Sequence, residues 1–112
     1  MELQTRLTKD ALAAFGTEGS DAPAQAASFL KSLAHRDRLK VLCGLLDGEL
    51  PVWEIEAQVG ASQSAISQHL ARLKAEGIVK SRRDGRQILY SIADPTVLSL
   101  IELLYQRFRA DE

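Results

Sequence analysis

Apolar residues recur along this chain at helical spacing in several segments and at strand spacing in one. Leu3, Leu7, Ala11, Ala14 and Phe15 stand at roughly helical intervals, and Gly-Thr-Glu-Gly-Ser-Asp at 16–21 then breaks the pattern. Asp21 can cap a second helix, with Pro23 early in it and Phe29, Leu30 and Leu33 as its apolar stripe. A third helix is predicted from about Asp37 to Asp47, with Leu39, Leu42, Cys43 and Leu46 on one face and Gly48 at its end. Pro51 can open a short helix carrying Val52, Ile55 and Val59 and stopped by Gly60. Ser62 can cap the next, in which Ile66, Leu70 and Leu73 repeat on one face before a stop near Gly77.

Two short helices joined by Gly60–Ala61–Ser62 have the form of a helix-turn-helix. The period then changes from helix to strand. Segments 78–83 and 86–92 flank Asp84–Gly85, a dipeptide suited to a type I′ turn, and Ile88, Tyr90 and Ile92 share one face of the second strand. Asp94 and Pro95 cap and open a last helix running to about Phe108. Its apolar residues, among them Val97, Leu98, Leu100, Ile101, Leu103, Leu104 and Phe108, cover more circumference than one small core can use. A second copy of the chain is the economical partner for that surplus. The expected fold is mainly α with a β-hairpin, a winged helix-turn-helix. Residues 1–21 form a helical arm and linker, 22–109 the working domain and 110–112 a tail.

Composition narrows the possibilities. A chain of 112 residues, 46% hydrophobic and 26% charged, fits one globular domain with little room for an enclosed substrate pocket. One cysteine excludes an intramolecular disulfide framework, and two histidines are too few for a zinc site without carboxylates. No apolar run is long enough to span a bilayer, and the start MELQTRLTKDALAAF lacks the features of a signal peptide, so no membrane partner and a cytoplasmic location are expected. Net charge is only −1, yet residues 61–90 hold six basic against two acidic side chains, while all other residues hold 8 basic and 13 acidic. Positive field is thus concentrated on one third of the chain.

That third contains the candidate chemistry. With Ile66, Leu70 and Leu73 turned inward at 100° per residue, Ser64, Gln68, Ala71 and Arg72 fall on the opposite side, with Ser67 at the flank and Gln63 near the amino end. A DNA major groove admits such a helix, and its base edges reward short donor–acceptor side chains. The helix start at Ser62 and Gln63 offers N–H groups to a phosphate, while Arg72 and Lys74 suit backbone contacts that position without specifying. Arg82, Arg83 and Arg86 cluster at the hairpin tip, placed to follow phosphates or enter a minor groove. His69 lies beside the inward stripe as a partly buried structural residue, with no second metal ligand spaced to join it. No nucleophile–base–orienter spacing suggests an enzyme. A winged helix that binds protein instead of DNA is the second class, and an uncharged wing would have favoured it.

The segments AHRDRLKVL, ELPVWEI, SQSAISQHLARLKAEGIV and RRDGRQILYSI resemble the ArsR/SmtB family of winged-helix repressors over roughly residues 26–108. The resemblance implies a homodimer built by first and last helices, here through Phe29, Leu33, Val97, Leu100, Ile101, Leu104 and Phe108, on a palindromic double-stranded operator released by an inducer. Many members sense metals. The cysteine positions of the family's ELCVCDL site hold Pro51 and Trp53 here, and the final-helix site retains only Asp94, its other positions being Thr96, Arg107 and Ala110. No metal or cofactor is therefore expected. The chain is most similar to the persulfide- and redox-responsive BigR, HlyU and SqrR branch, in which two cysteines pair. Cys43 matches the first of these, and Arg109 stands at the second, so no intrasubunit bridge can form. Cys43 is then either an inert small hydrophobe or a lone thiol sensor for a thiol-reactive inducer, the latter if Arg36, Arg38, Lys40 or Arg109 lowers its pKa.

Overall fold

A computed structural model describes residues 9–11, 13, 15, 16 and 21–109. The backbone divides into two compact units, one ending at Lys31 and the other beginning at Ser32. In the first, residues 9–11, 13 and 15 are helical, and most of helix α1 (Ala22–Leu33) follows. Leu3, Leu7 and Ala14 of the expected first stripe, and the tail at 110–112, lie outside the described residues.

The second unit contains α2 (Arg36–Gly44), β1 (Leu50–Pro51), α3 (Val52–Val59), α4 (Gln63–Ala75), β2 (Val79–Asp84), β3 (Gln87–Ile92) and α5 (Pro95–Phe108). This is the winged helix-turn-helix expected from the period changes. Helix boundaries follow local chemistry. Ser62 Oγ accepts the N–H of Ala65 at 3.1 Å, and Asp94 Oδ1 accepts that of Thr96 at 2.9 Å with Pro95 opening α5. At the end of α3, Gly60 adopts φ +78° and returns its N–H to Glu56 O, a left-handed cap that a side chain would oppose.

The core gathers Leu42, Ile55, Ile66, Leu70, Leu73, Ile78 and Val97, all essentially inaccessible to solvent. Three details depart from the sequence-based expectations. Helix α2 ends at Gly44, and Leu45–Asp47 is a turn. Its buried residues are Val41, Leu42 and the following Leu45, whereas Cys43 and Leu46 are exposed. Two overlapping apolar sets fit this segment, and only packing chooses between them.

The sheet is the second departure. Its order is β1-β3-β2, all antiparallel, with Leu50 opposite Tyr90 and Pro51 opposite Leu89. Pro51 is thus the last strand residue and the cap of α3, instead of its first turn. On β3 the buried residue is Leu89. Ile88 is exposed, and Tyr90 and Ile92 are half-buried, because α3 and α5 both pack on β3 and bury the face that the apolar count did not select.

The wing turn is the third. Asp84 pairs with Gln87, so the two loop residues are Gly85 and Arg86. Gly85 has φ +65° and no described non-glycine residue has positive φ, which matches a type II′ arrangement rather than I′.

Replacing Ile66 by Ala removes a fully buried side chain from the α4 anchor and is expected to destabilise the fold by about 2–5 kcal/mol. Urea unfolding followed by circular dichroism measures it; a loss below about 0.5 kcal/mol would contradict this core assignment.

Candidate nucleic-acid interface

Helices α3 and α4 pack together across the Gly60–Ser62 turn, and β2 leads directly from α4 into the wing. Ile66, Leu70 and Leu73 are buried to 1% exposure or less. This anchoring leaves Gln63, Ser64, Ser67, Gln68 and Ala71 exposed along the other side of α4. Ser62 is also exposed, although its hydroxyl is engaged as the helix cap. The polar face anticipated from the sequence is therefore a continuous surface of short donors and acceptors.

The basic residues divide into held and free. Arg72 Nε donates to Ser32 Oγ at 3.0 Å, and Lys74 Nζ donates to Ser81 Oγ at 2.8 Å. Arg82 reaches across the sheet to Glu49. Its Nε donates to Oε2 at 2.9 Å, and its Nη2 pairs with Oε1, a bidentate arrangement. That hydrogen bond holds the Glu49 carboxyl below the usual carboxylate range and raises the Arg82 guanidinium. Arg83 and Arg86, at the wing tip, are exposed and have no ion-pair or hydrogen-bond partner among the described residues. Glu49 was not foreseen as part of this surface; it lies 33 residues from Arg82 in sequence, and only sheet formation joins them.

A second unforeseen cluster lies behind α4. The Arg38 Nε donates to Ser32 O at 2.6 Å, and its Nη1 faces His69 Nδ1 at 3.4 Å. The His35 ring lies 4.5 Å from that of His69, and His35 Nδ1 caps α2 by accepting the Asp37 N–H. His69 is half-buried, as expected, and it is not isolated. His35, Asp37 and His69 bring potential ligand atoms within 4.8 Å of one another, which linear spacing concealed. Their chemistry suits a metal poorly. Both Nδ1 lone pairs face a donor, and the Arg38 guanidinium stands where it would oppose a cation.

At the other end of the unit, α5 buries Val97 and Ile101 within its own chain, as α1 does with Leu33, so these three expected interface residues have little surface left. Leu100 is half-buried, and Phe29, in the first unit, is likewise half-buried. The exposed apolar residues of α5 are Leu98, Leu103, Leu104, Tyr105 and Phe108, with Leu103 and Phe108 63% and 68% exposed. Next to it, Leu39, Cys43, Ile101, Leu104, Tyr105, Phe108 and Arg109 line an open apolar pocket of about 410 Å³. Arg109 thus faces the same pocket as Cys43. Although Cys43 is exposed overall, partial desolvation of its sulfur pushes the thiol pKa up. No helix among the described residues is long and apolar enough to cross a membrane.

Residues 35–81 match the model of the bacterial regulatory protein, arsR family. The chain is 41% identical over 85 residues to the transcriptional activator HlyU of Vibrio cholerae, covering 76% of this chain and 79% of that protein. It is 43% identical over 88 residues to the biofilm growth-associated repressor of Agrobacterium fabrum, covering 79% and 75%. Among solved structures, reduced HlyU from Vibrio cholerae superposes with a TM-score of 0.74 at 39% identity, over 80% of this chain and 95% of that one. The transcriptional repressor BigR from Xylella fastidiosa gives 0.75 at 38% identity, over 80% and 91%. With that degree of likeness spanning the helix-turn-helix and the wing, the chain belongs to the arsR family of bacterial transcriptional regulators.

Proposed function

We propose that this protein is a homodimeric repressor that reads a palindromic operator with α4 and braces itself on the flanking phosphates with the wing. One observation carries the reading. Ile66, Leu70 and Leu73 anchor one side of α4 in the core, its other side exposes Gln63, Ser64, Ser67 and Gln68, and the following wing tip exposes Arg83 and Arg86, unpaired among the described residues. Short polar groups on a helix discriminate base edges, whereas arginines on a hairpin neutralise phosphates without regard to sequence. Arg72, Lys74 and Arg82 contribute positive field, but each is already tied within the chain.

The α5 face supports a dimer. Leu98, Leu103, Leu104, Tyr105 and Phe108 form an apolar patch with no cover in the monomer, and two-fold pairing would set two copies of α4 toward successive grooves. Repression follows if the dimer occupies promoter DNA. A cytoplasmic setting suits that role. For control through Cys43, the upward push of desolvation on the thiol is unfavourable, and Arg109 lines the same pocket.

The reading is tested by selecting bound sequences from a random duplex library and comparing them with shuffled duplexes of equal composition. Reversing Arg83 and Arg86 to Glu is expected to weaken both classes alike and to flatten the salt dependence. Gln68→Ala is expected to lose about 1–3 kcal/mol of discrimination with smaller change on shuffled DNA. Equal losses on both duplexes for both variants would overturn the division.

Leu103→Glu adds a charge to an already exposed position. It is expected to leave the fold intact, yield a monomer in sedimentation velocity, and lose at least about tenfold in affinity for the selected duplex. A folded, dimeric variant would place the interface elsewhere.

Glu49→Gln removes the negative charge that competes with phosphate for Arg82. Affinity for any duplex is expected to rise by up to about fivefold at low salt, the scale of an exposed ion pair, with a steeper salt slope. Unchanged or weakened binding would show that the pair orients Arg82 for DNA instead.

A further inference from the structure

Ser32 is fully buried and polar, and two arginines converge on it. Arg38, from the first turns of α2, donates through Nε to the Ser32 carbonyl, while Arg72, from α4, donates through Nε to the Ser32 hydroxyl. The other end of the Arg38 fork meets His69 on α4 at 3.4 Å. Guanidinium has no acceptor, so this contact is a hydrogen bond when His69 Nδ1 is unprotonated and accepts. One half-buried cation therefore bridges the end of α1 to the back of the helix whose front carries the base-reading residues.

We propose that Arg38 is a positioning residue for DNA reading, and that its grip on His69 makes the placement of α4 sensitive to protons. The inference rests on the function proposed above. The groups that act on His69 are Arg38 and Asp37 from α2 and His35, the cap of that helix, while Arg72 acts in turn on Arg38. Three of these four are basic, and only Asp37 favours a charged imidazole. Burial, then His35 and Arg38, hold the His69 pKa below the ordinary histidine value. The sign follows from that direction. Above about pH 6.5 the imidazole is neutral and accepts from Arg38. As pH falls below that value and through the depressed pKa, protonation removes the acceptor and sets a second cation against the guanidinium. The back of α4 is then released.

This reverses the ordinary electrostatic expectation. A proton gained near DNA adds positive charge and strengthens binding to any duplex. Loss of the Arg38–His69 contact instead lowers the preference for the selected sequence while general affinity holds or rises.

The experiment measures the ratio of affinities for a library-selected duplex and its shuffled counterpart, at about pH 7.5 and about pH 5.5. For the parent protein the ratio is expected to fall on acidification by about two- to tenfold, the net scale of one ordinary hydrogen bond. His69→Gln retains an acceptor for Arg38 and cannot titrate; it is expected to hold a high ratio at both pH values. Arg38→Gln is expected to show a low ratio at both. In its NMR spectrum the His69 titration midpoint should move up, because a neighbouring cation has gone. A parent-like pH profile in His69→Gln, or parent-like discrimination in a folded Arg38→Gln, overturns the inference. If Arg38→Gln does not fold, His69→Gln decides alone. If the library yields no preferred duplex, the DNA-reading function fails on its own account. An unmoved His69 midpoint in Arg38→Gln would overturn the Arg38–His69 contact itself.

Discussion

Three buried side chains, Ile66, Leu70 and Leu73, constrain nearly everything else in this molecule. They occupy one stripe of α4, and each is sealed against the core by α2, α3 and β2. Full burial of such a residue is worth roughly 1.5–3 kcal/mol, so the helix has essentially one rotational setting. Once that setting is chosen, Gln63, Ser64, Ser67, Gln68 and Ala71 have no option but to face outward. The exposed polar surface of α4 is thus the reverse side of a packing decision.

Charge is distributed on a different logic. Close to the body, cations are held: Arg72 on Ser32, Lys74 on Ser81 and Arg82 on Glu49. At the wing tip Arg83 and Arg86 stand without hydrogen-bond or ion-pair partners among the described residues. A guanidinium tied to a carboxylate must be released before it can neutralise a phosphate, whereas a free one needs only to shed water. Under the proposed DNA-binding role, the tip arginines are thus readily available to a phosphate. The polar cluster behind α4 belongs to the same economy, since Arg38 and Arg72 both spend donors on Ser32.

The arsR relationship sharpens what is individual about this chain. Pro51 and Trp53 stand where the family's cysteine site would need thiolates, and Asp94 is engaged in capping α5. Cys43 faces an apolar pocket with Arg109 on its wall, and burial disfavours the thiolate. Relatives such as HlyU and BigR share the backbone arrangement closely. The chemistry lining this pocket is nevertheless that of packing and ligand-sized apolar space, in which a sulfur is one contact among several. Beside it, α5 leaves Leu98, Leu103, Leu104, Tyr105 and Phe108 exposed.

Local signals with a strong physical cause were readable directly from the residues. The caps at Ser62 and Asp94, the stop at Gly60, the limits of α5 and the two-faced character of α4 all depend on neighbours within four positions, which periodicity and side-chain chemistry report. Other features depend on which of two locally equivalent choices packing accepts. Helix α2 could bury Leu39, Cys43 and Leu46 or Val41 and Leu45, and β3 could turn in Leu89 or its neighbours; only the docking of α3 and α5 decided. The two-residue β1 is too short to carry a period at all, and the wing turn slid by one residue because strand register, not dipeptide preference, sets which positions form the loop. Long-range polar partnerships were wholly hidden. Glu49 with Arg82, Ser32 with Arg38 and Arg72, and His35 beside His69 join residues that no linear pattern connects, because each pair exists only once the backbone has brought separate elements together.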